Sequence, residues 1–283
     1  MGNGEIYHTN LKEEKCIMIN IIVNGAAGKM GTRIIANSKN FPNISVIGAI
    51  ESPETPQLGS DCGTLAGIGE IGIKITSYPD EIKLQEKCVL VDFALSDSTL
   101  DRLNFCLKKN IPMVIGTTGF SENQTSIIKN ASKKIPILLS SNISYGVNLI
   151  YKIIGDIAKA LGDNYDIEIV ETHHKFKKDA PSGTAKTIAE LICKALNRDI
   201  NKDVIYGRKG ITGERSKNVI GVHAIRGGDI VGEHIISFLG LGERIEITHK
   251  AHSRDTFAIG ALKAVEWIID KTPNLYSMMD VLK

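Results

Sequence analysis

Short apolar runs alternate with amphipathic stretches through the first half of the chain. The runs fall at Ile17–Val23, Ile44–Ile50, Cys88–Phe93, Met113–Ile115 and Ile135–Leu139, and helical spacing of apolar residues covers Lys29–Ser38, Ser98–Lys109 and Glu122–Lys133 between them. A strand buried on both faces is apolar throughout rather than alternating, so runs separated by helices predict βαβ units around a parallel sheet. Beyond about Ser140 the texture changes. Two longer helices, Val147–Leu161 and Thr184–Asn197, are predicted on either side of a strand at Asp166–Glu171, where Ile167 and Ile169 alternate with charged residues. Three more strands follow, Val219–Ile225, Asp229–Leu239 and Arg244–Ala251, and then a last helix, Thr256–Asp270. Charged and apolar positions alternate along Arg244–Ala251, as in a sheet with one wet face. The pattern predicts an α/β domain followed by an α+β domain built on an open mixed or antiparallel sheet.

Composition narrows the class. The 283 residues suit two domains, at roughly 150 residues each. A hydrophobic fraction of 42% and a charged fraction of 23% exclude a disordered, collagen-like or disulfide-dense chain. Lys+Arg 34 against Asp+Glu 32 leaves a net charge of +2, too small a basic excess for a general nucleic-acid surface. The five cysteines (Cys16, Cys62, Cys88, Cys106, Cys193) are odd in number and scattered, which points to a reducing compartment, the cytoplasm. No run approaches the ~18 apolar residues of a membrane span. The stretch Met1–Lys15 is polar and has no signal-peptide core, so residues 1–16 are expected to be a disordered tail; Met18 offers an alternative start.

Candidate chemistry begins at the end of the first strand. Ile19–Asn24 runs into Gly25-Ala26-Ala27-Gly28-Lys29-Met30-Gly31. A strand, a glycine-rich turn and a helix start in that order make a pyrophosphate site: Gly25 for the tight turn, Gly28 for close approach, Gly31 for helix–sheet packing. The spacing is GxxGxxG rather than GxGxxG, and an ordinary βα turn is the alternative. The second strand ends at Glu51, placed to accept hydrogen bonds from an adenosine ribose. Ser52 follows it, so no cation adjoins the acid for a 2′-phosphate, although Lys29 is within reach of one. Gly116-Thr117-Thr118-Gly119 and Ser140-Ser141-Asn142 stand at two further strand ends, where ligands of open α/β sheets lie.

The densest chemistry is the connection Thr172-His173-His174-Lys175-Phe176-Lys177-Lys178-Asp179-Ala180-Pro181-Ser182-Gly183-Thr184. Ser182 is placed as an N-cap, and Gly183 and Thr184 offer backbone N–H groups at a helix start, an anion site. With His173, His174 and Lys177 beside them, the segment predicts a pocket for a small carboxylate substrate, and His173 and Lys177 can carry protons. A merely solvated basic loop and a metal site through His173 and His174 are the alternatives; the histidines have no cysteine or acid at ligand spacing, so no metal is expected. His249, on a face with Ile245 and Ile247, and His234, on a face with Ile230, Ile236 and Phe238, are expected to be hydrogen-bonded core or interface groups. His8 falls in the tail, and none of the cysteines has a nucleophile's surroundings.

The run Glu171-Thr-His173-His174-Lys-Phe-Lys177-Lys-Asp179-Ala180-Pro181-Ser182-Gly183-Thr184-Ala185 resembles the signature of the 4-hydroxy-tetrahydrodipicolinate (dihydrodipicolinate) reductase family. The resemblance spans about Ile19 to Lys283. It includes Asn24–Gly31, Val114–Phe120, Ser141–Ser144, Arg208–Arg215, Gly228–His234 and Ile247–Ala251. It implies a Rossmann-type doubly wound sheet over 17–143, a substrate-binding and oligomerisation domain over 144–253, and a segment 254–283 returning to the first domain, assembled as a homotetramer. It further implies NADH or NADPH as cofactor and a small dicarboxylate as substrate, the dehydrated form of 4-hydroxy-tetrahydrodipicolinate, reduced to tetrahydrodipicolinate in lysine and diaminopimelate biosynthesis. His173 would donate the proton, with Lys177 the second catalytic residue. His174, Lys177, Gly183, Thr184 and Thr118 would hold the substrate. Gly25, Ala26, Ala27, Gly28, Lys29, Met30, Glu51, Phe93, Gly116, Thr117, Thr118, Ser141, Asn142 and Ile143 would hold the cofactor.

Two departures bear on the cofactor. Ser52 and Leu95 stand where members of that family often carry arginines, which tilts the expectation toward NADH. Three readings compete with the family's activity: another reductase or amino-acid dehydrogenase on the same plan, a nicotinamide-binding oligomer without turnover, and a metal-dependent hydrolase using His173 and His174.

Overall fold

The computed structural model describes residues 17–282; the expected tail over 1–16, with His8 and Cys16, lies outside them. The chain begins β1 (Ile19–Asn24), α1 (Gly31–Ser38), β2 (Ile44–Ile50), α2 (Cys62–Leu65), β3 (Ile75–Thr76), β4 (Cys88–Asp92), α3 (Ser96–Lys109), β5 (Met113–Ile115), α4 (Glu122–Ala131) and β6 (Ile137–Leu139). It continues α5 (Tyr145–Leu161), β7 (Asp166–His173), α6 (Gly183–Leu196), β8 (Val204–Tyr206), β9 (Ile220–Arg226), β10 (Gly232–Leu239) and β11 (Arg244–Ala251). The last elements are α7 (Asp255–Ile268), β12 (Leu275–Tyr276) and α8 (Met278–Val281).

The first sheet has the order β12-β6-β5-β4-β1-β2-β3, and every pairing in it is parallel. Read from β3 to β6, this is the doubly wound order that reverses beside β1, where such sheets bind ligands. All six residues of β1 and all five of β4 are buried, which is why both read as apolar runs interrupted only by satisfied polar groups. The Asn20 side chain, for instance, donates to the Glu86 carbonyl at 2.7 Å. Separate apolar clusters cover the two faces of this sheet, and α7 belongs to one of them through Ala258, Leu262, Val265 and Ile268. The end of the chain thus returns to the first sheet, where β12 adds the seventh strand beside β6.

The second sheet has the order β11-β10-β7-β9-β8. Its β11–β10 and β10–β7 pairings are antiparallel and its β7–β9 and β9–β8 pairings parallel, so of the two expected arrangements the mixed one is found. Its core joins Ile167 and Ile169 of β7, Ile220 and Val222 of β9, and Ile236 and Phe238 of β10 to one face of α5 and α6. Ser144 caps α5 and Ser182 caps α6 through the amides of Val147 and Ala185.

Boundaries differ from the sequence expectation where tertiary pairing prevails. β7 ends at His173 rather than Glu171, because Thr172 still pairs with Glu233 and His173 with Arg226. His173 is therefore the last residue of a strand and not part of a loop. β10 starts at Gly232 rather than Asp229, after a turn in which Gly228 has a φ of 53°. α1 starts at Gly31, two residues after the expected Lys29. β3, β8 and β12, each of three residues or fewer, are too short to leave a periodic signal.

Candidate active site

The residues after β4, β5 and β6, with Met30 from the glycine turn, face the carboxyl end of β7 and the start of α6 across one cleft of about 690 Å³. On the first-sheet side the glycine turn is close-packed. Gly25 has a φ of +78°, and a Cβ there would stand 2.7 Å from the Phe93 carbonyl oxygen; a Cβ on Gly31 would stand 2.1 Å from that of Gly25. Only glycine lets the backbone fold this tightly ahead of a helix start, the shape a pyrophosphate needs. The Glu51 carboxylate lies over the turn, accepting from the Ala27 amide at 2.8 Å and from the Ser52 amide at 3.1 Å. Lys29 is exposed beside it. The residues present fit a dinucleotide.

Met30, Phe93, Gly116, Thr118, Ser141, Asn142 and Ile143 line the cleft itself. Thr117 does not, because its hydroxyl turns inward to Asp92 at 2.6 Å and also accepts from the Ala94 amide at 3.1 Å. Asp92 is fully buried and receives hydrogen bonds from Asn24, Thr99 and Thr117; burial nevertheless pushes its carboxyl above the ordinary range. It ties the ends of β1 and β4 to the loop after β5. Gly25, Ala26, Ala27 and Gly28 sit at the turn rather than in the cleft wall, and Leu95 is 80% exposed.

The opposite wall carries His173, His174, Lys177, Ser182, Gly183 and Thr184. Side chains two apart on a strand share a face, and Ile167, Ile169, Glu171 and His173 form one such row on β7, the row that faces α6. Glu171 is completely buried. It accepts from both terminal nitrogens of Arg226 (2.7 and 2.8 Å), from the Ser182 amide (3.0 Å) and pairs with His173 Nδ1 (2.6 Å). Arg226 also donates to the Asp179 carbonyl at 2.6 Å, pinning the connection after β7. The Ser182 hydroxyl meets His234 Nε2 at 3.1 Å, and the His234 and His173 rings meet edge to face with centroids 5.3 Å apart. Lys177 Nζ rests 2.9 Å from the Asp179 carboxylate, and Asn142 donates across the cleft to the Thr184 hydroxyl at 3.0 Å.

Burial opposes the charge on Glu171, His173, His234 and Asp179, and the outcome depends on their partners. Burial pushes the Glu171 carboxyl up, but Arg226, His173 and the Ser182 amide outweigh it and hold it below the ordinary range. His173 is pulled below its ordinary value, chiefly by burial; Glu171 opposes the shift, while Lys177 and Arg226 add to it. His234 is pushed down to about 3 by burial and by the charge of His173. Lys177 holds the Asp179 carboxyl low. The Nδ1 atoms of His174, His234 and His249 are buried without a partner, and all three rings line the cleft.

His234 is the hydrogen-bonded core histidine expected from the sequence. His249 shares its face of β11 with Ile247 and Ile245, of which Ile247 packs on the second core and Ile245 is 41% exposed, and its Nε2 lies 3.5 Å from the Ser144 hydroxyl. Among the described residues no group of three His, Cys, Asp or Glu side chains is arranged to hold a metal ion. Glu171, Arg226 and Arg254, also in or against the cleft wall, are not among the site residues the sequence predicts, although Glu171 opens the motif. A signal for Glu171 was available: it is an acid on the apolar register of its strand.

The comparisons agree on a family. Residues 19–143 match the family described as "Dihydrodipicolinate reductase, N-terminus" and residues 146–282 the one described as "Dihydrodipicolinate reductase, C-terminus". The chain is 48% identical over 266 residues to the 4-hydroxy-tetrahydrodipicolinate reductase of Trichlorobacter lovleyi and 46% identical over 265 residues to that of Syntrophotalea carbinolica, covering 94% of this chain and 99% of each relative. Among solved structures, the dipicolinate-bound dihydrodipicolinate reductase from Paenisporosarcina sp. TG-14 shares the fold with a TM-score of 0.70 at 22% identity, over 92% of this chain and 98% of that one.

Proposed function

The chain belongs to the dihydrodipicolinate reductase family, and from that premise we propose that the cleft between its two sheets is where His173 and the Lys177–Thr184 segment complete the family's reaction. The activity is the nicotinamide-dependent reduction of the dehydrated form of 4-hydroxy-tetrahydrodipicolinate to tetrahydrodipicolinate, in lysine and diaminopimelate biosynthesis. A reduced nicotinamide held in the cleft would supply the hydride. The proton that completes the addition comes from His173, so the substrate gains two electrons and two hydrogens in all. His174, Lys177, Thr118 and the amides of Gly183 and Thr184 hold the substrate's two carboxylates. Lys177 can exchange its contact with Asp179 for a substrate oxygen, and the α6 amides lie at a helix start, where an anion is favoured.

One observation carries this assignment: the strand ends after the glycine turn and the His173–Thr184 segment open into the same cleft. The division of labour we propose is a dinucleotide-binding unit over 17–143, closed by 254–283, and a substrate unit over 144–253. Closure of the second on the first excludes water from the hydride path. The assembly is a homotetramer built through the second sheet, on which Tyr206, Ile225 and Ile245 are between 41% and 59% exposed. Among the described residues no helix is long and apolar enough to cross a membrane, and the four described cysteines are buried and unpaired, which supports a reducing, cytoplasmic setting.

NADH is the preferred coenzyme in this proposal. Glu51 projects a carboxylate over the turn, and Ser52 and Leu95 supply no cation for a 2′-phosphate. The test is oxidation of NADH and NADPH by the purified protein, with substrate generated in place from pyruvate and aspartate semialdehyde by the preceding synthase. Synthase-dependent oxidation with a higher kcat/KM for NADH is expected. A strong NADPH preference would discard the coenzyme assignment, and no oxidation with either would discard the activity.

A further inference from the structure

We propose that Glu171 is a positioning residue that holds the proton donor and the carboxylate-binding turn in one register. It does so with its two oxygens. Oε2 takes His173 Nδ1 at 2.6 Å, and Oε1 takes the Ser182 amide at 3.0 Å, one residue before the substrate-binding amides of α6. The inference rests on His173 being the proton donor.

The geometry leaves little freedom. Glu171 and His173 are neighbours in the same row of β7, and the Glu171 side chain has no exposed surface. Arg226 grips both oxygens from β9 and is itself tied to the Asp179 carbonyl, so the carboxylate cannot rotate without leaving a charge unpaired in the interior. With Nδ1–H committed to Glu171, the remaining nitrogen of His173, Nε2, is the one that can present a proton to the cleft. Room for that is kept by Gly232 on β10, where a Cβ would stand 3.0 Å from Nε2. His234 closes the ring of contacts, packing edge to face against His173 and meeting the hydroxyl of the same Ser182.

The groups facing His173 are Glu171 on its own strand, Arg226 from β9, His234 from β10 and Lys177 from the connection to α6. Of these only Glu171 favours the protonated ring; Lys177 and Arg226 disfavour it. Removing the carboxylate therefore acts twice, on ring orientation and on how long the ring keeps its proton as pH rises.

The experiment is steady-state kinetics against pH for the parent, Glu171→Gln, Glu171→Asp and His173→Gln. Loss of alignment alone costs about a hundredfold in rate. Glu171→Gln is expected to lose kcat on that scale and to move the alkaline limb of kcat to lower pH, with Glu171→Asp recovering part of both. A lower kcat with an unmoved limb would reduce Glu171 to a structural group and overturn the inference. So would parent-like Glu171→Gln beside inactive His173→Gln, which leaves the proton-donor assignment standing. Parent-like His173→Gln would overturn the assignment itself. Where Glu171→Gln does not fold, ¹⁵N-histidine NMR of the parent decides, the His173 signal being assigned by its absence from His173→Gln. A neutral ring protonated on Nδ1 is expected, and one protonated on Nε2 would overturn the inference.

Discussion

Strand β7 carries two clamped glutamates on opposite faces, and they differ in what they leave free. Glu168 accepts from Arg208 at 2.7 and 3.1 Å, from Arg215 at 3.0 Å, and pairs with His223 Nε2 at 2.8 Å. Glu171 has the same kinds of partner in Arg226 and His173. Both carboxyls are held low against burial, Glu168 down to about 2. No member of the Glu168 group lines the cleft, and its arginines come from the segment joining β8 to β9. In the Glu171 group the second ring nitrogen of His173 remains free at the cleft, and the second carboxylate oxygen accepts from the Ser182 amide at the start of α6. A carboxylate clamped by arginine and histidine is thus not in itself a site. It becomes one when it commits a single nitrogen of the ring and leaves the other facing a ligand.

The sharpest way to break this comparison is to remove each histidine. His173→Gln is expected to lower kcat by about a hundred- to ten-thousandfold, the contribution of a positioned acid. NADH binding, followed by fluorescence titration, should stay at the parent's level. His223→Gln should leave kcat at the parent value. Equal losses would erase the distinction between the two faces. Next in size is Lys177→Ala. A charged hydrogen bond contributes about 1.5–3 kcal/mol, or roughly ten- to two-hundredfold in kcat/KM. The loss should disappear for a substrate analogue lacking one carboxylate, and its persistence there would move Lys177 away from carboxylate binding.

Much of this arrangement is written in the sequence, because it rests on patterns with a local cause. Ile19–Asn24 leading into Gly25 declares a strand and a tight turn, and Ser182-Gly183-Thr184 declares a capped helix start. What is not local was not legible. Arg226 reaches Glu171 only because β9 pairs with β7 in a register that sets Arg226 beside His173, and no spacing along the chain reveals that pairing. The motif groups Thr117 with Thr118 as a ligand group, but adjacent side chains point to opposite sides, and the buried Asp92 claims the first of the two. The sequence places His173 in a loop because the ladder partners that extend β7 to it lie far along the chain.

The smallest expected effect separates the faces by stability rather than rate. Glu168 lies at about 2 against an ordinary 4.5, so between those values the unfolded chain binds the proton and the folded one does not. Its contribution to stability is complete above about 4.5 and disappears as the pH falls toward about 2. His234, at about 3 against 6.5, also destabilises the fold in acid, starting higher: the unfolded chain takes its proton first as the pH drops below 6.5. Glu168→Gln removes only the lower window. Near neutrality it should lower the apparent Tm by roughly 3–12 °C, taking about 1.5–3 kcal/mol for the lost charged hydrogen bonds, with kcat unchanged. In acid the parent loses the same carboxylate charge by protonation, so the two melting curves should converge below about 4.5 while the decline due to His234 persists in both. A deficit that stayed constant into acid would mean that the arginines hold the shape of that side chain and not its charge. The Glu168 group would then be a packing feature, leaving Glu171 as the one of the two glutamates whose ionisation matters to the fold or the site.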